Sequence, residues 1–141
     1  MLVFFDSSAL AKLVVDEPGS DTAARLWDEA DAVVASRLVE PEVSAALHAA
    51  ARASRLTSAQ LRQAEDSWQE FSAGLRKIEL TSVIARTAAH LTGSYALGGA
   101  DAVHLASVLA LRETGPVLAA WDGRLRAAAA ATGLRLGPAE V

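Results

Sequence analysis

Short apolar runs of strand length alternate with alanine-rich stretches of helical spacing along this chain, and that alternation restricts its fold more than any other feature. Leu2 to Phe5 is a continuous apolar run with two aromatics, and Ala32 to Ser36 is a second run of buried-strand type. Val117 to Ala120 repeats the pattern, Lys77 to Leu80 is a short candidate, and Leu134 to Leu136 suits a final edge strand. Strands separated by helical patterns imply βαβ units and a parallel sheet, with helices on both faces. The expected fold class is α/β, a three-layer α/β/α arrangement around a central parallel sheet of four to five short strands.

The punctuation between runs predicts the helices. Ser7 to Val14 reads as a short helix, and Pro18-Gly19-Ser20 as a turn. Ser20 or Asp21 is placed to cap a helix that reaches about Ala30. Pro41 sits early in the next pattern, where a missing N–H costs little, and the helix it opens runs to about Ser54. Thr57-Ser58 starts a helix to about Gly74, and Thr81-Ser82 one to about Tyr95. Gly98-Gly99 precedes a helix from Ala100 to Glu113, which Gly115-Pro116 ends. Asp122-Gly123 is a turn before a helix from Arg124 to Thr132. No repeat or linker interrupts this order. A chain of 141 residues holds one real core and is short for two, so a single domain over residues 1–141 is expected.

Apolar residues make up 52% of the chain, enough for a core without covalent staples, and there is no cysteine. Disulfides, thiolate metal sites and cysteine nucleophiles are thereby excluded. The first residues lack a basic n-region, Asp6 breaks their apolar run, and no stretch reaches the ~18 apolar residues of a membrane span. A soluble, cytoplasmic protein is expected. The net charge of −4 argues against a general polyanion binder. The stretch carrying Arg52, Arg55, Arg62, Arg76, Lys77 and Arg86 is either a phosphate-binding face or a set of solvated helix surfaces.

Four acids stand where strand passes into helix or early in a helix: Asp6, Glu42, Asp101 and Asp122. Taken singly, each suits a helix start, where a carboxylate caps free N–H groups and meets the positive end of the helix dipole, worth about 0.5–2 kcal/mol. Taken together they suggest more. Ligands of open parallel sheets sit at the carboxyl ends of the strands, where Asp6 and Asp122 fall and toward which Glu42 and Asp101 can point. Capping does not explain the small residues that follow Glu42, namely Ala45, Ala46 and Ala49. Clustered carboxylates raise one another's pKa and destabilise the fold unless a cation neutralises them. Mg²⁺ or Mn²⁺ is the fitting ion, being hard and oxygen-seeking, and phosphoryl chemistry is what it supports. His48, His90 and His104 fall mid-helix without zinc spacing and read mostly as surface or packing residues, with contact of one of them to substrate as the alternative. There is no GxxxxGK[ST] and no GxGxxG motif.

Four segments, DSSALAKL, VEPEVSAAL, GGADAVHLASVLAL and AAWDGRLRAAA, occur in an order and spacing that resembles the PIN-domain ribonucleases, and within them the VapC toxins of toxin–antitoxin modules. The resemblance covers essentially the whole chain, and DAVHLA is its most specific part. It implies a PIN-like fold and a magnesium- or manganese-dependent endoribonuclease that leaves a 3′-hydroxyl and a 5′-phosphate. Asp6 and Asp101 match the family's firmest metal ligands. Glu42 and Asp122 would complete the shell, directly or through water, or orient the attacking water. Ser8 would help hold the first acid or the scissile phosphate. The resemblance further implies an RNA substrate, a VapB-type antitoxin laid across the cleft, and a homodimer, with Trp27, Trp68 and Phe71 either at an interface or in the core. One departure is Ala120, where many relatives carry Thr or Ser two residues before the late Asp.

Two other readings compete. A phosphatase or receiver-like domain phosphorylated on Asp6 would want a second Asp close by and a Lys at a late strand end, and VLAAW has none. A catalytically weak RNA-binding module would use the Arg52–Arg86 stretch and have no need of all four acids.

Overall fold

The computed structural model describes residues 1–141, built as β1 (Leu2–Phe5), α1 (Ser7–Val14), α2 (Ser20–Glu29), β2 (Ala32–Ser36), α3 (Val39–Arg52), α4 (Ser58–Gly74), β3 (Arg76–Ile78), α5 (Ser82–Tyr95), α6 (Gly99–Leu109), a 3₁₀ turn (Arg112–Thr114), β4 (Val117–Ala119), α7 (Gly123–Ala131) and β5 (Arg135–Gly137). The five strands form one sheet in the order β3-β2-β1-β4-β5, and every pairing is parallel. The three-layer α/β/α arrangement expected from the alternation is the one observed.

Side-chain alternation along the central strands divides the core in two. Phe4 of β1, Val34 of β2 and Leu118 of β4 face α5, α6 and α7. Val3 and Phe5, with Ala35, Val117 and Ala119, face α1, α3 and α4. Both faces of β1 are sealed, with Val3, Phe4 and Phe5 fully buried, which is why its sequence is apolar without alternation. Trp68 joins the second core, whereas Trp27 and Phe71 pack edge to face at 4.9 Å on its margin. No helix is long and apolar enough to cross a membrane.

Local chemistry moves several boundaries. The third strand is Arg76–Ile78 rather than Lys77–Leu80, because β2 offers partners only from Val34 to Ser36. Leu80 is left half exposed beyond it. The last strand begins at Arg135 because Leu134 belongs to the end of α7: its N–H reaches Ala129 O while Gly133, at φ 85°, bonds Ala130 O. That pair of bonds is a Schellman closure, with glycine in the left-handed position. Ser20 does not cap α2. Its hydroxyl donates to Val15 O and accepts from Glu17 N, and Gly19 takes the cap position instead.

The strand order reverses between β1 and β4. β1 leads outward to β2 and β3, and β4 leads the other way to β5. Such a switch point opens a crevice beyond the carboxyl ends of the two strands.

Candidate active site

Asp6 follows β1 directly, and its N–H donates to Ala119 O of β4 at 3.1 Å, which ties it to the switch point. Its carboxylate caps α1: Oδ1 accepts from Ala9 N at 2.8 Å and from Ser8 Oγ at 2.8 Å. Asp122 ends the loop after β4 and caps α7, accepting from Leu125 N at 2.9 Å. Glu42 lies in the first turn of α3, beside the buried Val39 and Val43 that anchor the helix. Asp101 is in the first turn of α6, but Gly98 holds the cap position there, so capping does not account for it.

All four acids line one cleft of about 330 Å³, together with Ser7, Ser8, Ala11, Ala46 and His104. Ala11 and Ala46 keep its walls low. A roomier groove of about 450 Å³ lies elsewhere, among α1, α2 and α4, lined by Leu13, Val14, Trp27 and Phe71 with Asp16, Asp21 and Asp28. It holds none of the four acids.

Two members of the cleft, His104 and Ser7, lie outside the site residues expected from the sequence. His104 is buried, and its Nε2 lies 2.6 Å from Glu42 Oε1, so it is neither a surface residue nor simple packing. Ser7 donates to the same oxygen at 2.7 Å. The signal for His104 was present: it stands three residues after Asp101, which puts both on one face of α6. Ser7 carried no signal beyond its place next to Asp6.

The electrostatics are those of uncompensated negative charge. No lysine or arginine pairs with any of the four acids, and the only ion-pair partner among them is His104 with Glu42. Burial pushes Asp6 up to about 6, against the opposing hydrogen bonds from Ala9 and Ser8. Asp101 is also raised, first by burial and then by the charges of Asp122 and Glu42, with His104 opposing. Burial raises Glu42 as well, but the hydrogen bonds from His104 and Ser7 outweigh it and hold Glu42 below its usual range. Of the basic stretch, Lys77 is not free: it donates to Ser72 O at 2.9 Å and lies 3.4 Å from Glu40.

As they stand, no three acidic or histidine side chains are close enough to hold one ion together. The carboxylates line the cleft rather than meet at a point. An Mg²⁺ ion that keeps several waters needs only one or two carboxylates directly. The donor set is oxygen-rich and hard, as such an ion requires.

The sequence matches the PIN domain family over residues 3–131. It is 51% identical over 140 residues to a Mycobacterium tuberculosis protein named Ribonuclease VapC45, covering 99% of this chain and 97% of the relative. Among solved structures, Mycobacterium tuberculosis VapC20, a sarcin-ricin loop cleaving toxin, superposes with a TM-score of 0.67 at 22% identity over 89% of this chain and 94% of its own. VapBC2 from Rickettsia felis, bound to a DNA fragment from its promoter, gives 0.66 at 12% identity over 96% and 97%. At those identities the structures speak for the fold alone.

Proposed function

This chain belongs to the PIN-domain family, in its VapC branch, and from that premise we propose that it is the toxin of a toxin–antitoxin module, an endoribonuclease that hydrolyses RNA phosphodiester bonds with Mg²⁺ or Mn²⁺. The whole chain, residues 1–141, serves as a single PIN domain. The observation that carries this reading is the delivery of four carboxylates from separate elements to one cleft without a lysine or arginine to neutralise them.

Asp6 and Asp101 would hold the ion, and Glu42 and Asp122 would complete its surroundings, directly or through water. Bound there, the ion supplies positive charge to the scissile phosphate and acidifies the attacking water. The chain's own residues prepare that chemistry. Ser8 and the Ala9 amide fix the Asp6 carboxylate. Ser8 can also turn its hydroxyl to the phosphate. Asp101 makes no protein hydrogen bond that would have to break before it engages the ion or the attacking water. Ala120, where many relatives carry Thr or Ser, is fully buried in the apolar core and does not line the cleft.

The partner of this reading is a VapB-type antitoxin. It would lie across the four-carboxylate cleft, whose acids suit a basic side chain, and the separate groove among α1, α2 and α4 fits a further apolar part of it: Leu13, Val14, Trp27 and Phe71 are rimmed by Asp16, Asp21 and Asp28, with Lys12 in the lining paired to Glu17. A homodimer is the proposed assembly. Val83, 60% exposed at the start of α5, and Leu80 just before it are apolar side chains that a second copy would cover.

The test is Asp6→Asn, which keeps a competent cap while removing the charge. The variant is expected to fold as the parent does and to lose RNA cleavage and growth inhibition. Sequencing the 5′-phosphate ends released by the parent protein from total RNA identifies the target. Full toxicity of the variant would end this reading.

A further inference from the structure

We propose that His104 and Ser7 are positioning residues that hold Oε1 of Glu42 between them and so leave Oε2 as the oxygen serving the cleft. The proposal rests on the nuclease reading above. The three side chains come from three elements, α6, α1 and α3, and meet at one atom: His104 Nε2 is 2.6 Å from Oε1, Ser7 Oγ is 2.7 Å from it, and Nε2 and Oγ are 3.3 Å apart.

The arrangement is specific to one nitrogen. An ionised carboxylate only accepts hydrogen bonds, so Nε2 carries the proton toward Glu42. The other ring nitrogen, Nδ1, is buried without a partner. A histidine that served only to fill space in α6 would leave both nitrogens as a cost with no return. Here one nitrogen is left unsatisfied and the other engages a cleft carboxylate. Glutamate has a long side chain with free rotation, and a third of the Glu42 side chain is exposed. Without the two donors it would sample several orientations, and groups that orient a ligating carboxylate govern how well it binds.

The nitrogen preference gives the experiment its form. An asparagine amide reaches the place of Nδ1, and a glutamine amide reaches the place of Nε2. Mn²⁺ binding is measured by calorimetry on the full chain, and cleavage by the rate at which 5′-phosphate ends appear in total RNA. His104→Asn is expected to lose about 10–100-fold in Mn²⁺ affinity and in cleavage rate, Ser7→Ala to lose in the same direction, and His104→Gln to stay within about threefold of the parent. In a Glu42→Ala background, His104→Asn should add nothing, since His104 acts through Glu42.

Parental Mn²⁺ affinity and cleavage in His104→Asn would overturn the positioning role. So would an equal loss from His104→Asn with and without Glu42, which is the mark of a purely structural residue. Asp6→Asn, measured alongside, separates the two levels. If it is inactive while His104→Asn behaves as the parent, only the positioning role fails. If Asp6→Asn binds and cleaves as the parent does, the four-carboxylate site is not the one that acts and this inference fails with it; if the parent itself releases no 5′-phosphate ends, the nuclease reading fails. Should His104→Asn not fold, Ser7→Ala and the glutamine variant still decide the matter.

Discussion

Ser8 donates its hydroxyl to both carboxylate oxygens of Asp6, at 2.8 Å and 3.0 Å. That bond and the Ala9 amide oppose the burial that raises Asp6 from 3.8 to about 6. A raised acid binds its proton more tightly in the folded state. Its contribution to stability is therefore full below its unfolded value near 4 and is lost as pH rises through about 6. For Asp6 the loss by pH 7 is about 3 kcal/mol, and Asp101 adds the same sign. Glu42, held low, adds the opposite sign, but its window lies below its ordinary value of 4.5. The melting temperature of the chelator-treated protein should fall between pH 5 and pH 7. Asp6→Asn should flatten the curve, and Ser8→Ala should move its midpoint upward. A melting temperature that climbs over this interval would contradict the assignment.

Asp101 makes no cap and sits beside Asp122 and Glu42, whose charges disfavour its ionised form. Asp101→Asn should leave the melting temperature of the metal-free protein unchanged or raise it. It should also shrink the rise that saturating Mg²⁺ produces in the parent, which by mass action is about 2.7 kcal/mol at a hundred times the dissociation constant. Paired thermal melts with and without Mg²⁺ test both halves. A large fall in metal-free stability would mean the carboxylate holds structure rather than a ligand.

Asp122 serves two purposes that a pair of substitutions can separate. Asp122→Asn preserves the side-chain acceptor for Leu125 N, so α7 should keep its stability while RNA cleavage drops. Asp122→Ala loses the cap as well and should cost about 1 kcal/mol more in denaturant unfolding. Equal stability of the two variants would show that the cap contributes nothing here.

Gly19 caps α2 at φ 93°, and a methyl group added there would stand 2.9 Å from the Trp121 indole nitrogen. Trp121 in turn lies under Lys12, 5.2 Å from its ammonium, and immediately precedes Asp122. Gly19→Ala must therefore strain the backbone and displace the indole, at about 1–3 kcal/mol. The expected result is a lower melting temperature with altered tryptophan emission. An unperturbed spectrum would show that the loop yields without moving Trp121.

The layered parallel sheet follows from features that act over a few residues. Leu2 to Phe5 and Ala32 to Ala35 are apolar throughout because both of their faces are covered, and that demand is written into consecutive positions. The boundaries that moved depended on partners: β3 stops where β2 stops offering hydrogen bonds, and Leu134 is drawn into the closure of α7. Within the cleft, the four acids announced themselves by standing at helix starts after apolar runs. His104 gave the weaker sign of sharing a helix face with Asp101, and Ser7 gave almost none.

From the residues alone come the alternation of strand and helix, the absence of thiol chemistry, and a set of acids whose positions only a parallel sheet can relate. The tertiary structure decided which oxygen of Glu42 is held and by what, because the contact joins residues 35 and 62 positions away along the chain. Hydrophobic periodicity is a property of neighbours in sequence. A hydrogen bond between α1, α3 and α6 depends on how three helices pack across a sheet, and no local pattern encodes that distance.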